Sequence, residues 1–206
     1  MRSAEEDAAT RPIVLASASP RRADLLEAAG IPFEIAPADV DETPGKGECP
    51  EPYVERLSRE KADAVVRRGE SRAVLGADTV VVVDEIILGK PVDLDDARRM
   101  LERLSGRGHR VLTGVTIVAP GSSMPDGSRS TVTRVVATTV EFAQLTTSDL
   151  DWYLASGEPM GKAGAYAIQG RASRFVTAIS GSYTNVVGLP IAEVRAMCSD
   201  LGILIS

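Results

Sequence analysis

The sequence predicts an α/β (α+β) protein on a mixed sheet, and three observations carry that reading. Residues 73–83, Ala-Val-Leu-Gly-Ala-Asp-Thr-Val-Val-Val-Val, are apolar on both sides of a pleat, as in a central strand covered on both faces. Ile13-Val14-Leu15 passes through a small-residue turn into the helix formers of 23–29, giving a strand, a turn and a helix. Asp84-Glu85 makes a turn from which Ile86-Ile87-Leu88 runs back, so antiparallel pairing is mixed with strand–helix units.

Bulk properties bound the answer. The chain has 206 residues, 44% hydrophobic and 25% charged, ordinary for a globular protein with a sizeable core. A net charge of −6 argues against a general nucleic-acid coat. The two cysteines, Cys49 and Cys198, are far apart and in no metal-type spacing, which suits a reducing compartment. With His109 the only histidine, zinc sites rich in histidine are poorly supported. No apolar run reaches the length of a membrane span, and residues 1–11 read as a disordered polar tail rather than a signal peptide. The expectation is a single domain over 12–206, in the cytoplasm, without a membrane partner.

Taken in order, the first strand ends at the turn Ala16-Ser17-Ala18-Ser19. Ser19 can cap the helix that follows, and Pro20 suits its first position. The helix N-terminus then points free N–H groups into the turn, an anion site to which Arg21 and Arg22 add two guanidiniums. Residues 31–36 read as a strand, followed by an acidic loop with Asp39, Asp41 and Glu42, oxygen donors suited to a hard cation. Residues 52–68 read as a helix with the apolar stripe Val54, Leu57, Ala62 and Val65. Lys61 lies inside that stripe, either snorkelling along its stem or pointed into a cleft toward an anion.

Asp78 interrupts the central strand. An unpaired buried carboxylate is costly, so it should be paired, metal-bound or facing a polar cleft. Gly76 before it can admit another backbone or a ligand. Lys90 ends the returning strand. Asp93 caps a helix whose buried face is Leu94, Ala97, Leu101 and Leu104. His109 is expected at the surface, at a strand start. Residues 110–119 and 131–145 read as strands, with a Gly/Ser/Pro loop over 120–130 between them. Thr147 or Ser148 caps a helix to about Ser156, in which Trp152 and Tyr153 pack. The glycine-dense stretch 157–170 presents Lys162 and Gln169, the latter able to donate to and accept from a pyrimidine edge. A strand over 175–179 and a last helix over 191–201 complete the chain.

Cations at Arg21, Arg22, Lys61, Lys90 and Lys162, carboxylates at Glu42 and Asp78, and glycine-rich turns suit a polyphosphate with a divalent ion. A Walker loop is absent, which disfavours a P-loop NTPase. Seven stretches in order resemble the Maf family: residues 15–22, 40–42, 59–62, 76–81, 89–91, 161–170 and 181–190. The resemblance covers nearly the whole chain. It implies a fold like the inosine triphosphate pyrophosphatases, with two lobes and a central cleft. It implies hydrolysis of nucleoside triphosphates to monophosphate and pyrophosphate, with metal-activated water attacking the α phosphate and Mg²⁺ or Mn²⁺ as cofactor. By resemblance Asp78 is the catalytic base, Ser17, Arg22, Lys61, Lys90 and Lys162 bind substrate, and Glu42 with Asp78 places the metal. Arg21, Thr79 and Gln169 fall on the positions that separate the family's branches, and match the one that prefers dTTP and UTP, with modified pyrimidine nucleotides as further substrates. The family is linked to septum formation, so the rival reading is a nucleotide-binding regulator with little turnover. A homodimer is compatible with the resemblance.

Overall fold

A computed structural model describes residues 11–121 and 128–205. Most of the expected tail, and residues 122–127 of the loop expected over 120–130, lie outside the described residues. The elements are β1 (Ile13–Leu15), α1 (Pro20–Ala28), β2 (Phe33–Ile35), α2 (Pro50–Val66), β3 (Val74–Val83), β4 (Ile86–Leu88) and α3 (Leu94–Leu104). They continue with β5 (Gly108–Val118), β6 (Thr131–Phe142), α4 (Thr147–Leu154), β7 (Val176–Ser180), α5 (Tyr183–Val187) and α6 (Ile191–Asp200). The strands form one mixed seven-stranded sheet in the order β2-β1-β3-β5-β6-β7, with β4 also paired to β3. β1 runs parallel to β2 and β3, and the remaining pairs are antiparallel. The expected mixed α/β class is the observed one.

The long run 74–83 is the central strand, buried along nearly its whole length because both faces are covered. On one face α2 lies across β3 and β5, with Val54 and Leu57 against Val80, Val82 and Leu112. Two glycines make that approach possible. A Cβ on Gly76 would stand 2.2 Å from the Ser58 carbonyl oxygen, and one on Gly114 2.1 Å from that of Val54. The opposite face is covered by two apolar clusters. One joins α1 and α6 to β1, β3 and β5 through Leu26, Val194 and Met197. The other joins α3 and α4 to the sheet through Leu101, Tyr153 and Phe175.

One interruption in this sheet matters for function. On its β1 side, β3 pairs only as far as Leu75, and β4 takes up pairing at Val81. Between these points the β3 edge is open, and the turn after β1 and the end of β4 flank the gap. Successive strand residues face opposite sides, so at this opening Asp78, toward α2, and Thr79, on the other face, can border one space.

Several local expectations are corrected. Ser19 occupies the N-cap position of α1 but makes no side-chain cap; its N–H donates instead to Ser17 Oγ at 3.2 Å. The cap of α4 is Thr146, one residue early, in a reciprocal box with Asp149. Leu94 is half exposed, since it begins α3 ahead of the buried Ala97, Leu101 and Leu104. His109 is buried at 3% exposure, because β5 begins two residues before the expected start and draws it between Phe142 and Tyr166. α5 was not foreseen: five residues are too few to show a helical period. Both cysteines are free.

Candidate active site

The gap at the β3 edge opens into a cavity of about 660 Å³. Its wall is made by the turn after β1, the open part of β3, the 42–44 loop, the β4 end and the 161–169 loop. Nine of the ten residues singled out from the sequence line it: Ser17, Arg21, Arg22, Glu42, Lys61, Asp78, Thr79, Lys90 and Gln169. The tenth, Lys162, does not. Its ammonium is turned to the Glu158 carbonyl at 2.6 Å, and its charge is disfavoured first by burial and then by the nearby Arg21.

Lys61 stands at the centre of the acidic side. It is 7% exposed, and its Nζ donates at 2.6 Å to Asp78 Oδ1 and at 2.6 Å to Glu42 Oε1. Of the two sequence readings of Lys61, the one pointing into a cleft is observed. The placement follows from packing: Lys61 lies on the α2 turn, between Ser58 and Ala62, that Gly76 admits onto β3. Asp78, 8% exposed, thereby gains the charge partner that a buried carboxylate needs. Burial raises the Glu42 pKa, but the ammonium of Lys61, with Lys90 behind it at 3.3 Å, outweighs this and holds it below the usual value. The Glu42 backbone is fixed as well, since Tyr53 donates its hydroxyl to the Glu42 carbonyl at 2.7 Å.

Arg22 defines the basic side. It is 8% exposed, and its Nε donates to the Gly188 carbonyl at 2.8 Å, Nη1 to Ser17 Oγ at 2.9 Å and Nη2 to Thr79 Oγ1 at 3.0 Å. All three acceptors are neutral. Burial works against this charge and Asp78 only partly offsets it, so the Arg22 pKa lies below its ordinary value. A buried guanidinium held by neutral groups at a cavity wall gains most from an anionic ligand, and it has the fork geometry for phosphate.

The donor set also bears on a metal. Glu42 Oε1 and Asp78 Oδ1 both bond one nitrogen at 2.6 Å, so they lie no further apart than twice that, 5.2 Å. Among the described residues no group of three or more His, Cys, Asp and Glu side chains could hold a metal. Carboxylate oxygens are the donor type that a cation such as Mg²⁺ takes, one or two from the protein with phosphate oxygens and water completing the shell; here the Lys61 ammonium occupies the place between Glu42 and Asp78.

Sequence reasoning missed Tyr53, Tyr166 and Gly188, which also line the cavity. Tyr53 carried a readable signal, since Tyr53, Leu57 and Lys61 recur every four residues on one face of α2. Tyr166 and Gly188 fall inside the family-like stretches 161–170 and 181–190, but no periodicity singles them out as cavity residues.

Fold and site together define a mixed α/β protein with a cleft in which a paired carboxylate faces a set of cations. The Maf family model, described as Maf-like protein, matches residues 12–201. The chain belongs to that family. It is 50% identical over 195 residues to a dTTP/UTP pyrophosphatase of Pseudoalteromonas atlantica, covering 93% of this chain and 97% of that one. It is 52% identical over 192 residues to a dTTP/UTP pyrophosphatase of Sphingopyxis alaskensis, again covering 93% and 97%. Among solved structures, the Ham1 protein of Staphylococcus aureus is similar with a TM-score of 0.48 and 14% identity, over 92% of this chain and 99% of that one. No helix among the described residues is long and apolar enough to cross a membrane.

Proposed function

We propose that this protein hydrolyses nucleoside triphosphates, with dTTP and UTP preferred, to the monophosphate and pyrophosphate. The observation that carries the proposal is the buried Lys61–Asp78 pair set in the same cavity as the neutrally held Arg22. The names of the curated relatives support the choice of substrate.

In this reading Asp78 takes the proton of a water that attacks the α phosphorus. Lys61 engages Oδ1 and leaves the other carboxylate oxygen for that proton. As the bond to the bridging oxygen breaks, negative charge gathers on the leaving pyrophosphate. Arg22 and Lys61 offset that charge from fixed, buried positions, so little reorganisation is needed during the reaction, and the exposed Lys90 adds to them from the cavity rim. Ser17 keeps Arg22 oriented through Nη1. Glu42 and Asp78 would hold a divalent cation, which when bound neutralises phosphate charge. Arg21 and Gln169 are left to meet the base. Lys162 joins the substrate only after releasing the Glu158 carbonyl.

The test is a panel of ordinary and modified nucleoside triphosphates with Mg²⁺ or Mn²⁺, scored for pyrophosphate. Asp78→Asn should lower turnover by about 10² or more. Orthophosphate as the first product, or near-normal turnover by that variant, overturns the assignment. A regulator with little turnover would bind nucleotide as tightly in both forms and hydrolyse it in neither.

A further inference from the structure

We infer that Arg56, which does not line the cavity, is a positioning residue for Glu42: its guanidinium clamps the acidic loop to α2 and so fixes where that carboxylate stands. The inference rests on the reading of Glu42 as a carboxylate that helps to hold a cation beside a triphosphate.

The loop has little backbone support of its own. Residues 37–48 belong to no helix or strand. Among the described residues, its one bond from backbone to backbone runs from the Glu48 N–H to the Gly45 carbonyl, at 3.0 Å. A segment without a ladder takes its shape from side-chain contacts. Packing does not supply them at Glu42, whose side chain is 44% exposed where that of its partner Lys61 is 9% exposed.

Arg56 supplies the missing contacts. It lies on α2, five residues before Lys61. Its Nε and Nη2 each donate at 2.7 Å to a different carboxylate oxygen of Glu48, the fork geometry in which an arginine pair is strongest. Nη2 also reaches the carbonyl of Thr43, the residue after Glu42, at 3.3 Å, and Nη1 turns to Glu60 Oε2 at 3.3 Å. Glu48 passes the hold on, since its Oε2 accepts the Gly45 N–H at 2.8 Å. One turn earlier on the helix, Tyr53 holds the Glu42 carbonyl, and the Arg56 guanidinium lies 5.5 Å from the centre of that ring. An isolated ion pair at a surface is worth little, but a bidentate pair of good geometry is the exception. The Glu48 side chain is only 14% exposed, and its bonds to Arg56 hold its carboxyl down at about 2. Because the same helix carries Lys61 to Asp78, the clamp sets Glu42 in register with both.

The experiment compares wild type with Arg56→Met, Arg56→Lys, Glu48→Ala and the double variant Arg56→Met/Glu48→Ala, each in the whole protein. Tryptic cleavage after Lys46, the one lysine or arginine in 37–48, reads how often the loop opens. The Mg²⁺ dependence of dTTP turnover reads Glu42, and calorimetry of pyrophosphate binding without metal reads the Arg22 side. In Arg56→Met, cleavage after Lys46 should quicken about tenfold and the Mg²⁺ concentration at half-maximal rate should rise about tenfold, the worth of a hydrogen bond to a charged group. Turnover at saturating metal should change little, and pyrophosphate binding should not weaken. Arg56→Lys keeps the charge but not the fork and should resemble Arg56→Met. Glu48→Ala should do the same, and the double variant should be no worse than either single one. A metal dependence and cleavage rate like the wild type's in Arg56→Met overturn the inference. So does a lysine variant equal to wild type, additive losses in the double variant, or pyrophosphate binding that weakens as much as the metal dependence, the mark of general damage. If Arg56→Met does not fold, Glu48→Ala carries the same readouts from the loop side. A wild type that hydrolyses no nucleotide would count against the enzymatic reading, while the cleavage rates would still decide whether Arg56 holds the loop.

Discussion

Replacing Gly76 by alanine tests whether helix packing sets the chemistry. On intrinsic propensity alone alanine should stabilise a strand interior by about 0.5–1 kcal/mol. Here the added methyl would sit 2.2 Å from the Ser58 carbonyl oxygen and 2.8 Å from the Ala62 nitrogen, whereas real Cβ contacts essentially never fall below 3.0 Å. That turn of α2 must therefore retreat by at least 0.8 Å, the difference between 2.2 and 3.0 Å. Lys61 lies within it, and a retreat along the Lys61–Asp78 bond would lengthen 2.6 Å to about 3.4 Å, longer than the usual N–H···O distance and so a weakened bond. The expected cost is about 1–3 kcal/mol of stability from overpacking. For activity, a displacement of this size near reacting groups costs about 10² in kcat/KM. Urea unfolding and pyrophosphate release measure the two effects on the same preparation. A variant as stable and as active as wild type would refute the link between this glycine and the Lys61–Asp78 pair; a loss of stability without loss of activity would show that Lys61 does not depend on the close approach of α2.

Three further outcomes each turn on a single residue. Tyr53→Phe removes the hydroxyl that fixes the Glu42 carbonyl, so the Mg²⁺ concentration at half-maximal rate should rise by up to about tenfold while kcat at saturating metal changes little; an unchanged metal titration would show that Glu42 is placed otherwise. His109 is held near pH 4 by burial against an ordinary value of about 6.5. Between these values the unfolded chain binds a proton that the folded chain refuses, so stability falls as pH drops from about 6.5 toward 4, by up to about 3 kcal/mol; His109→Gln should flatten that part of the melting-temperature profile, and an equally steep profile would sink the assignment. Gln169→Glu should weaken dTTP use far more than pyrophosphate binding, and equal losses across nucleotides would count against a base-reading role.

Sequence could show most where a residue breaks a pattern. Asp78 is visible as the lone charge in an apolar strand, and Lys61 as the lone charge in a helical stripe, because burial makes each costly unless it has a partner. That they pair with each other could not be read, since the pairing depends on two glycines letting α2 settle onto β3. Lys90 and Glu42 were readable only as chemical types, and they meet because β4 ends beside the acidic loop. His109 went the other way: a polar residue taken for surface is walled in by Phe142 and Tyr166, its Nε2 satisfied by the Tyr166 hydroxyl at 2.9 Å.

Arg22 shows the limit most clearly. Its place in the first turn of α1 is unfavourable for a cation in any isolated helix, and from sequence that cost only hinted at a function. The fold adds a second cost, burial, and answers both with two hydroxyls and a carbonyl drawn from the β1 turn, β3 and the end of α5. Neutral acceptors can hold a guanidinium in place, but they cannot balance its charge. A carboxylate placed against it would have balanced the charge and competed with phosphate for the same fork. In the proposed triphosphate reading, leaving the balance incomplete keeps the affinity for phosphate, at a cost in stability that a purely structural arginine would have no reason to carry.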